Sequence, residues 1–159
     1  MTWDFLRVTG IPTEACVPYT AGGGQEGACP SKCTGSGSFV KYHCADRKNP
    51  TTAAAIQSEL VAGGPVEGAF TVYNDFFNYK SGVYVANTSS GVAGGHAIKI
   101  IGYGVDSVSG LNYWLCHNSW GTSWGDSGLF KIKAGTCGIE QQVFACTPGT
   151  VSSPSEFFQ

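Results

Sequence analysis

Apolar periodicity is unevenly spread along the chain, and its distribution predicts the elements. Residues 3–8 read as the last turns of a helix, stopped by Gly10 and Pro12. That helix begins without its front turns, so further sequence is expected upstream of Met1. From residue 13 to residue 44 Gly, Ser and Cys dominate and no period organises the apolar positions, so the stretch reads as cross-linked loop. A second helix is expected over 53–62. Thr51 and Thr52 offer a hydroxyl cap, Ile56, Leu60 and Val61 form an apolar face, and Gly63-Gly64-Pro65 ends it. Five strand-like runs follow at 66–73, 96–103, 113–118, 128–133 and 142–146, each rich in β-branched or aromatic residues and bounded by Gly or Asp. Long Gly-rich connections between them predict an α+β domain, an antiparallel, barrel-like sheet with a short helix packed beside it. The tail, 148–159, is polar and expected to be frayed, Phe157 and Phe158 notwithstanding.

Composition narrows the partners. With 159 residues, 42% hydrophobic and 13% charged, the chain can bury a core and is not a disordered segment. Its net charge is −2 and no run of Lys or Arg makes a basic stripe, so neither nucleic acid nor an anionic membrane is an expected partner. The sequence has no apolar window of about 18 residues and no basic-then-apolar start. Seven cysteines, four of them (Cys16, Cys29, Cys33, Cys44) in the loop stretch, point to disulfides and an oxidising compartment. The triplet Asn87-Thr88-Ser89 is an acceptor pattern that fits the same route. An odd count leaves at least one thiol without an intrachain partner. A four-thiolate zinc site at those four cysteines is the rival reading, but their spacings lack paired Cys-x2-Cys repeats, and no metal is expected.

Three segments make chemical sense together: Gly94-Gly95-His96-Ala97, Asn118-Ser119-Trp120-Gly121 with Trp124-Gly125-Asp126 behind it, and Gly64-Pro65-Val66-Glu67-Gly68-Ala69. An imidazole early in one strand and a carboxamide at the end of a later one can meet across a sheet. The amide oxygen then accepts the ring N–H, fixes the tautomer and leaves the other nitrogen free to act on a thiol. Singly, each has a plainer reading: His96 as a satisfied structural histidine, Trp120 and Trp124 as core aromatics. Cys116, two residues before Asn118 on the same strand face, is the nearest candidate nucleophile, with His117 pointing the other way.

In this order the segments resemble the right-hand domain of papain-like cysteine peptidases. Cys137-Gly138-Ile139-Glu140 adds to the match, and Gly64-Pro65-Val66-Glu67-Gly68-Ala69-Phe70 with Tyr79-Lys80-Ser81-Gly82-Val83-Tyr84 is similar to the cathepsin B branch. The resemblance covers residues 3–148 and implies the end of a left-domain helix and crossover over 1–12, the right-hand β domain over 13–147 and a flexible tail over 148–159. It implies His96 as general base and acid, Asn118 as its orienter, and Trp120 as the ring shielding their hydrogen bond. Gly95, Ala97 and Ala69 would line the S2 pocket, with Gln142 on the floor where the branch has a Glu. An apolar P2 residue (Leu, Val or Phe) is then expected.

The family's Cys-Gly-Ser-Cys-Trp nucleophile motif and its oxyanion Gln are absent, and Cys116 matches a packing position. The resemblance further implies disulfides Cys16–Cys33 and Cys44–Cys146. Cys29 would pair with a missing N-terminal half or light chain, leaving Cys116 and Cys137 free. No histidine lies between Cys16 and Cys33, where the cathepsin B branch has a His-bearing loop that removes dipeptides, so endopeptidase action is implied. Polypeptide substrates and cystatin-like inhibitors are the implied partners, no cofactor is needed, and the implied location is lysosomal, vacuolar or extracellular. The contrasting expectation is a non-catalytic homologue serving as a binding or inhibitory module.

Overall fold

Alternating burial along β2 (Val66–Tyr73) sets the pattern of the larger of two units in a computed structural model, which describes residues 2–152. One unit is 48–145; the other is 2–47 with 146–152. In β2 every second residue from Val66 to Val72 is buried and the rest are half-buried, as period-2 geometry requires of a sheet with one apolar face. The same core face takes Ile98 and Ile100 from β4 (Val92–Val105), Trp114 and Cys116 from β5 (Asn112–His117), Phe130 and Ile132 from β6 (Leu129–Lys133), and Val143 and Ala145 from β7 (Gln142–Ser152). Pairing runs in the order β7-β2-β4-β5-β6-β3, with β3 only Val83–Tyr84. The first four of these contacts are antiparallel and β3 lies parallel to β6. Since among the described residues β3 pairs with no strand but β6, the sheet is open and not the closed barrel that "barrel-like" would suggest.

Helix α2 (Ala53–Ala62) starts where Thr52 Oγ1 accepts the Ala55 N–H at 3.2 Å. Ile56 is fully buried and Leu60, one turn later, packs on the core. Val61, expected on the same face, is 77% exposed, because five residues past Ile56 the helix has turned well away from the core. At the other end of the sheet Phe76, in a 3₁₀ turn over Asn74–Asn78, is fully buried among aromatic rings. Its centroid lies 4.9 Å from Tyr84, 5.0 Å from Trp124 and from Phe130, and 5.2 Å from Phe70. Beside it the Asp75 carboxylate accepts from Ser90 Oγ and the Asn87 N–H, both at 2.9 Å, and from Tyr84 OH at 3.0 Å.

The smaller unit is held by short-range devices. Helix α1 (Thr2–Val8) buries no residue, and the N–H groups of Thr9 and Gly10 both close on Phe5 O, with Gly10 in the left-handed region at φ 69°. Two disulfides, Cys16–Cys33 and Cys44–Cys146, lie in this unit, and β1 (Lys41–Lys48) neighbours β7. His43 reaches Ser152 Oγ at 2.7 Å and Arg7 O at 3.3 Å. β1 escapes a pattern reading because only Cys44 of its eight residues is buried. The frayed tail does not begin at Pro148: residues 148–152 continue β7, and the remainder of that expectation, 153–159, lies outside the described residues.

Phe76→Ala should lower the unfolding free energy by about 3–5 kcal/mol, the usual cost of emptying a ring-sized core site. A denaturant midpoint that barely moves would mean the neighbouring rings do not depend on it. Stability should also fall on acidification through Asp75. Burial raises the pKa of its carboxyl, but the hydrogen bonds from Asn87, Ser90 and Tyr84 outweigh this and hold it below the ordinary value. A depressed folded-state pKa contributes stability that is complete above the unfolded value of about 3.9 and is lost as pH falls through the lower, folded one. Asp75→Asn should flatten that acid limb of a stability-versus-pH curve.

Candidate active site

His96 is placed by strand register: it stands opposite Phe70, so its side chain lies on the core face of β4 towards the strand's open end. Asn118 follows β5 directly, 3% exposed, with its backbone N–H on Gly128 O at 2.9 Å. The two side chains meet with His96 Nε2 at 2.9 Å from Asn118 Oδ1. The same oxygen lies 2.8 Å from the Ser119 backbone nitrogen, which can only donate, and this fixes which end of the carboxamide is oxygen. Nε2 must therefore carry the proton, and in the neutral ring Nδ1 keeps a lone pair. No hydrogen bond among the described residues engages that Nδ1. Asn118 Nδ2, on the far side of the amide, is buried without a hydrogen-bond partner among the described residues.

Aromatic rings roof this pair. Trp120 stacks on the imidazole at 4.9 Å and 25°, and Phe77 stacks on Trp120 at 5.4 Å and 17°. Trp124 meets Trp120 edge-on at 5.0 Å and donates its indole N–H to Phe77 O at 3.1 Å, locking the tier. Excluding water from one side strengthens the imidazole–amide bond. Phe77 was not picked out by sequence reasoning. Its only signal is the tandem Phe76-Phe77, of which one ring enters the core and the next is left half exposed.

The residues expected to bind substrate divide between two recesses. Ala69 pairs with Ala97 on one side and Gln142 on the other, so all three share the face opposite the core. Ala69, Gly95 and Gln142 line a recess of about 160 Å³, together with Thr71 and Cys137. Ala97 instead borders a neighbouring concavity of about 490 Å³ with Glu67, Lys99, His117 and Asn118, because it lies one strand further from β7. Cys137 reaches the first recess through a left-handed backbone, φ 55°, that points its carbonyl at the Thr71 N–H, 2.8 Å away, and no pattern in the sequence reveals such a turn.

Cysteines outside the two disulfides are Cys29, Cys116 and Cys137. The disulfides occupy Cys16, Cys33 and Cys44, which removes the four-thiolate zinc reading. Among the described residues no group of three or more His, Cys, Asp or Glu could hold a metal ion. Burial pushes the Cys116 thiol far up in pKa, and its Sγ faces Trp114 O at 3.8 Å, so it is a packing residue and not an activated nucleophile. Burial also raises the Cys137 thiol. Cys29 is exposed beside an apolar recess of about 300 Å³ bordered by Phe5, Ile11, Val17 and Phe39.

Residues 1–147 match the family model of papain family cysteine proteases. The chain belongs to that family. It is 45% identical to Cathepsin B-like CP3 of Giardia intestinalis over 89% of its own length and 48% of the relative's. It is 38% identical to Cathepsin B of Dictyostelium discoideum, over 92% of its length and 51% of that protein. The chain thus spans about half the length of the curated relatives it matches. The solved proCathepsin B S9 from Trypanosoma congolense superposes with a TM-score of 0.78 at 34% identity, covering 93% of this chain and 52% of that one. The α+β architecture, with its open sheet and two disulfides, is that of the C-terminal domain of papain-like proteases.

In this chain alone, folded, a maleimide should modify the exposed Cys29 first, Cys137 slowly and the buried Cys116 only after denaturation, as read by peptide mass spectrometry. Rapid native labelling of Cys116 would contradict its assignment as packing.

Proposed function

We propose that this chain supplies the base-and-orienter half of a cathepsin B-like thiol endopeptidase acting on polypeptides. The observation that carries the reading is the Asn118 Oδ1–His96 Nε2 bond of 2.9 Å under Trp120, which leaves Nδ1 as the proton acceptor. The nucleophilic cysteine and oxyanion Gln belong to the part of the relatives that this chain does not span. His96 Nδ1 takes the proton of that thiol, and the thiolate attacks the scissile carbonyl. The imidazolium, held in line by Asn118, returns the proton to the leaving amine, and the same nitrogen then activates the water that releases the acyl group. Trp120 screens the ion pair and borders the leaving-group side.

Ala97 borders the neighbouring concavity, whereas Ala69, Gly95 and Gln142 form the pocket for the P2 side chain. With a neutral Gln on its floor an Arg side chain gains no charge partner there, so Leu, Val or Phe is preferred. Residues 1–12 serve as crossover from the other half and 13–147 as the right-hand domain, with strand β7 running on to Ser152. The apolar recess at Phe5, Ile11 and Cys29 supports contact with that half or a light chain, with Cys29 available for an interchain disulfide. Two disulfides support passage through an oxidising route to a lysosomal, vacuolar or extracellular site, where cystatin-like inhibitors are the fitting regulators.

Active-site titration with a biotinylated epoxide tests this on the full-length natural protein and on this chain alone. Label confined to the longer form, with kcat reduced about 10²–10⁴-fold by His96→Ala, is expected. Failure of both samples to label would favour the non-catalytic binding module instead. Label on this chain alone would assign the nucleophile to one of its own thiols.

A further inference from the structure

Asn87-Thr88-Ser89 forms the loop between β3 and β4, and all three residues are exposed. The loop is anchored from beneath by the Asn87 N–H on Asp75 Oδ2 at 2.9 Å and by Asn74 Nδ2 on Ser90 O at 2.8 Å. The Asn87 side chain caps the 3₁₀ turn over Thr88–Ser90, its Oδ1 accepting the Ser89 N–H at 3.1 Å. That bond uses only the carbonyl end of the carboxamide. Nδ2 is left without a hydrogen-bond partner among the described residues, on an exposed turn that carries the Ser89 hydroxyl two residues on. The disulfides Cys16–Cys33 and Cys44–Cys146 give independent evidence of folding where such acceptors are modified. One other triplet in the chain, Asn49-Pro50-Thr51, has the right ends, but proline in the middle disqualifies it.

We propose that Asn87 carries an N-linked oligosaccharide, a reading that rests on the secretory route proposed above. In the transfer, Nδ2 forms a bond to the anomeric carbon of a lipid-pyrophosphate-linked oligosaccharide while that carbon's bond to the pyrophosphate oxygen breaks. The lipid pyrophosphate leaves with the bonding pair, and the amide proton passes to a base of the membrane-bound transferase. No oxidation or reduction is involved. Because Oδ1 stays an acceptor in the product, the cap to Ser89 and the anchor to Asp75 both survive the modification. The glycan and the folded loop are therefore compatible, and the structural role of Asn87 does not compete with the chemical one.

The full-length protein should be isolated from its natural source or from a eukaryotic secretory host, treated with a peptide N-glycosidase, and mapped by peptide mass spectrometry alongside differential thiol alkylation. The expected result is a glycosidase-sensitive glycan on the peptide that bears Asn87, with conversion of the Asn87 amide to a carboxylate. Both Asn87→Gln and Ser89→Ala should abolish the glycan at this peptide and reduce the mobility shift by one oligosaccharide. Ser89→Ala keeps the backbone N–H that Asn87 caps, so its loss of the glycan cannot be ascribed to a collapsed loop. An unmodified Asn87 in protein whose Cys16–Cys33 and Cys44–Cys146 pairs are oxidised would overturn the proposal while sparing the secretory reading. Reduced cysteines throughout, with no glycan, would overturn both.

Discussion

The register of β2 against β4 is the constraint on which the rest depends. Phe70 faces His96 and Ala69 faces Ala97, so one strand pair aims the imidazole at the aromatic core and the two alanines at the opposite surface. Because side chains alternate, a slip of one residue would exchange these roles and destroy both the histidine–asparagine contact and the recess. Gly68 helps to hold the register. A Cβ there would come within 2.8 Å of Ile100 Cδ1, so Ile100 fits where this strand has no side chain.

Polar geometry is then completed by apolar packing. Asn118 accepts from a backbone N–H and an imidazole at once, and it is kept from rotating by burial more than by further hydrogen bonds, since its own NH₂ group has no partner among the described residues. Trp120, Phe77 and Trp124 form its lid, and Phe76 is the buried ring beneath that tier. The site is thus an outgrowth of the core, and its orientation is secured by the same aromatic contacts that stabilise the unit.

Much of this was legible in the sequence where burial is periodic. β2 and α2 have the predicted limits, and β5 and β6 differ from theirs by a residue. β4 begins four residues before its predicted start because Val92, Gly94 and Gly95, though exposed, pair with β2 around a bulge at Ala93, and backbone pairing leaves no trace in an apolar pattern. β1 and the last residues of β7 are hidden for the same reason, and β3 is too short to carry a period. At the site, the pairing of His96 with Asn118 could be anticipated from residue chemistry and strand order, whereas the separation of Ala97 from the recess of Ala69 and Gln142 depends on which strand is the sheet's neighbour. The entry of Cys137 into that recess depends on a positive φ at a non-glycine residue, which propensity argues against.

The bond between Cys44 and Cys146 spans 102 residues of sequence, and the whole of the larger unit lies between them. That unit is in effect a closed ring of polypeptide hung from one covalent clasp. When it melts its ends cannot drift apart, and closing a ring of this size removes denatured-chain entropy worth about 4.7 kcal/mol in a simple loop-closure treatment. Cutting the clasp removes no contact inside the ring, so in that treatment reducing conditions act on the unit that bears His96 through its unfolded state.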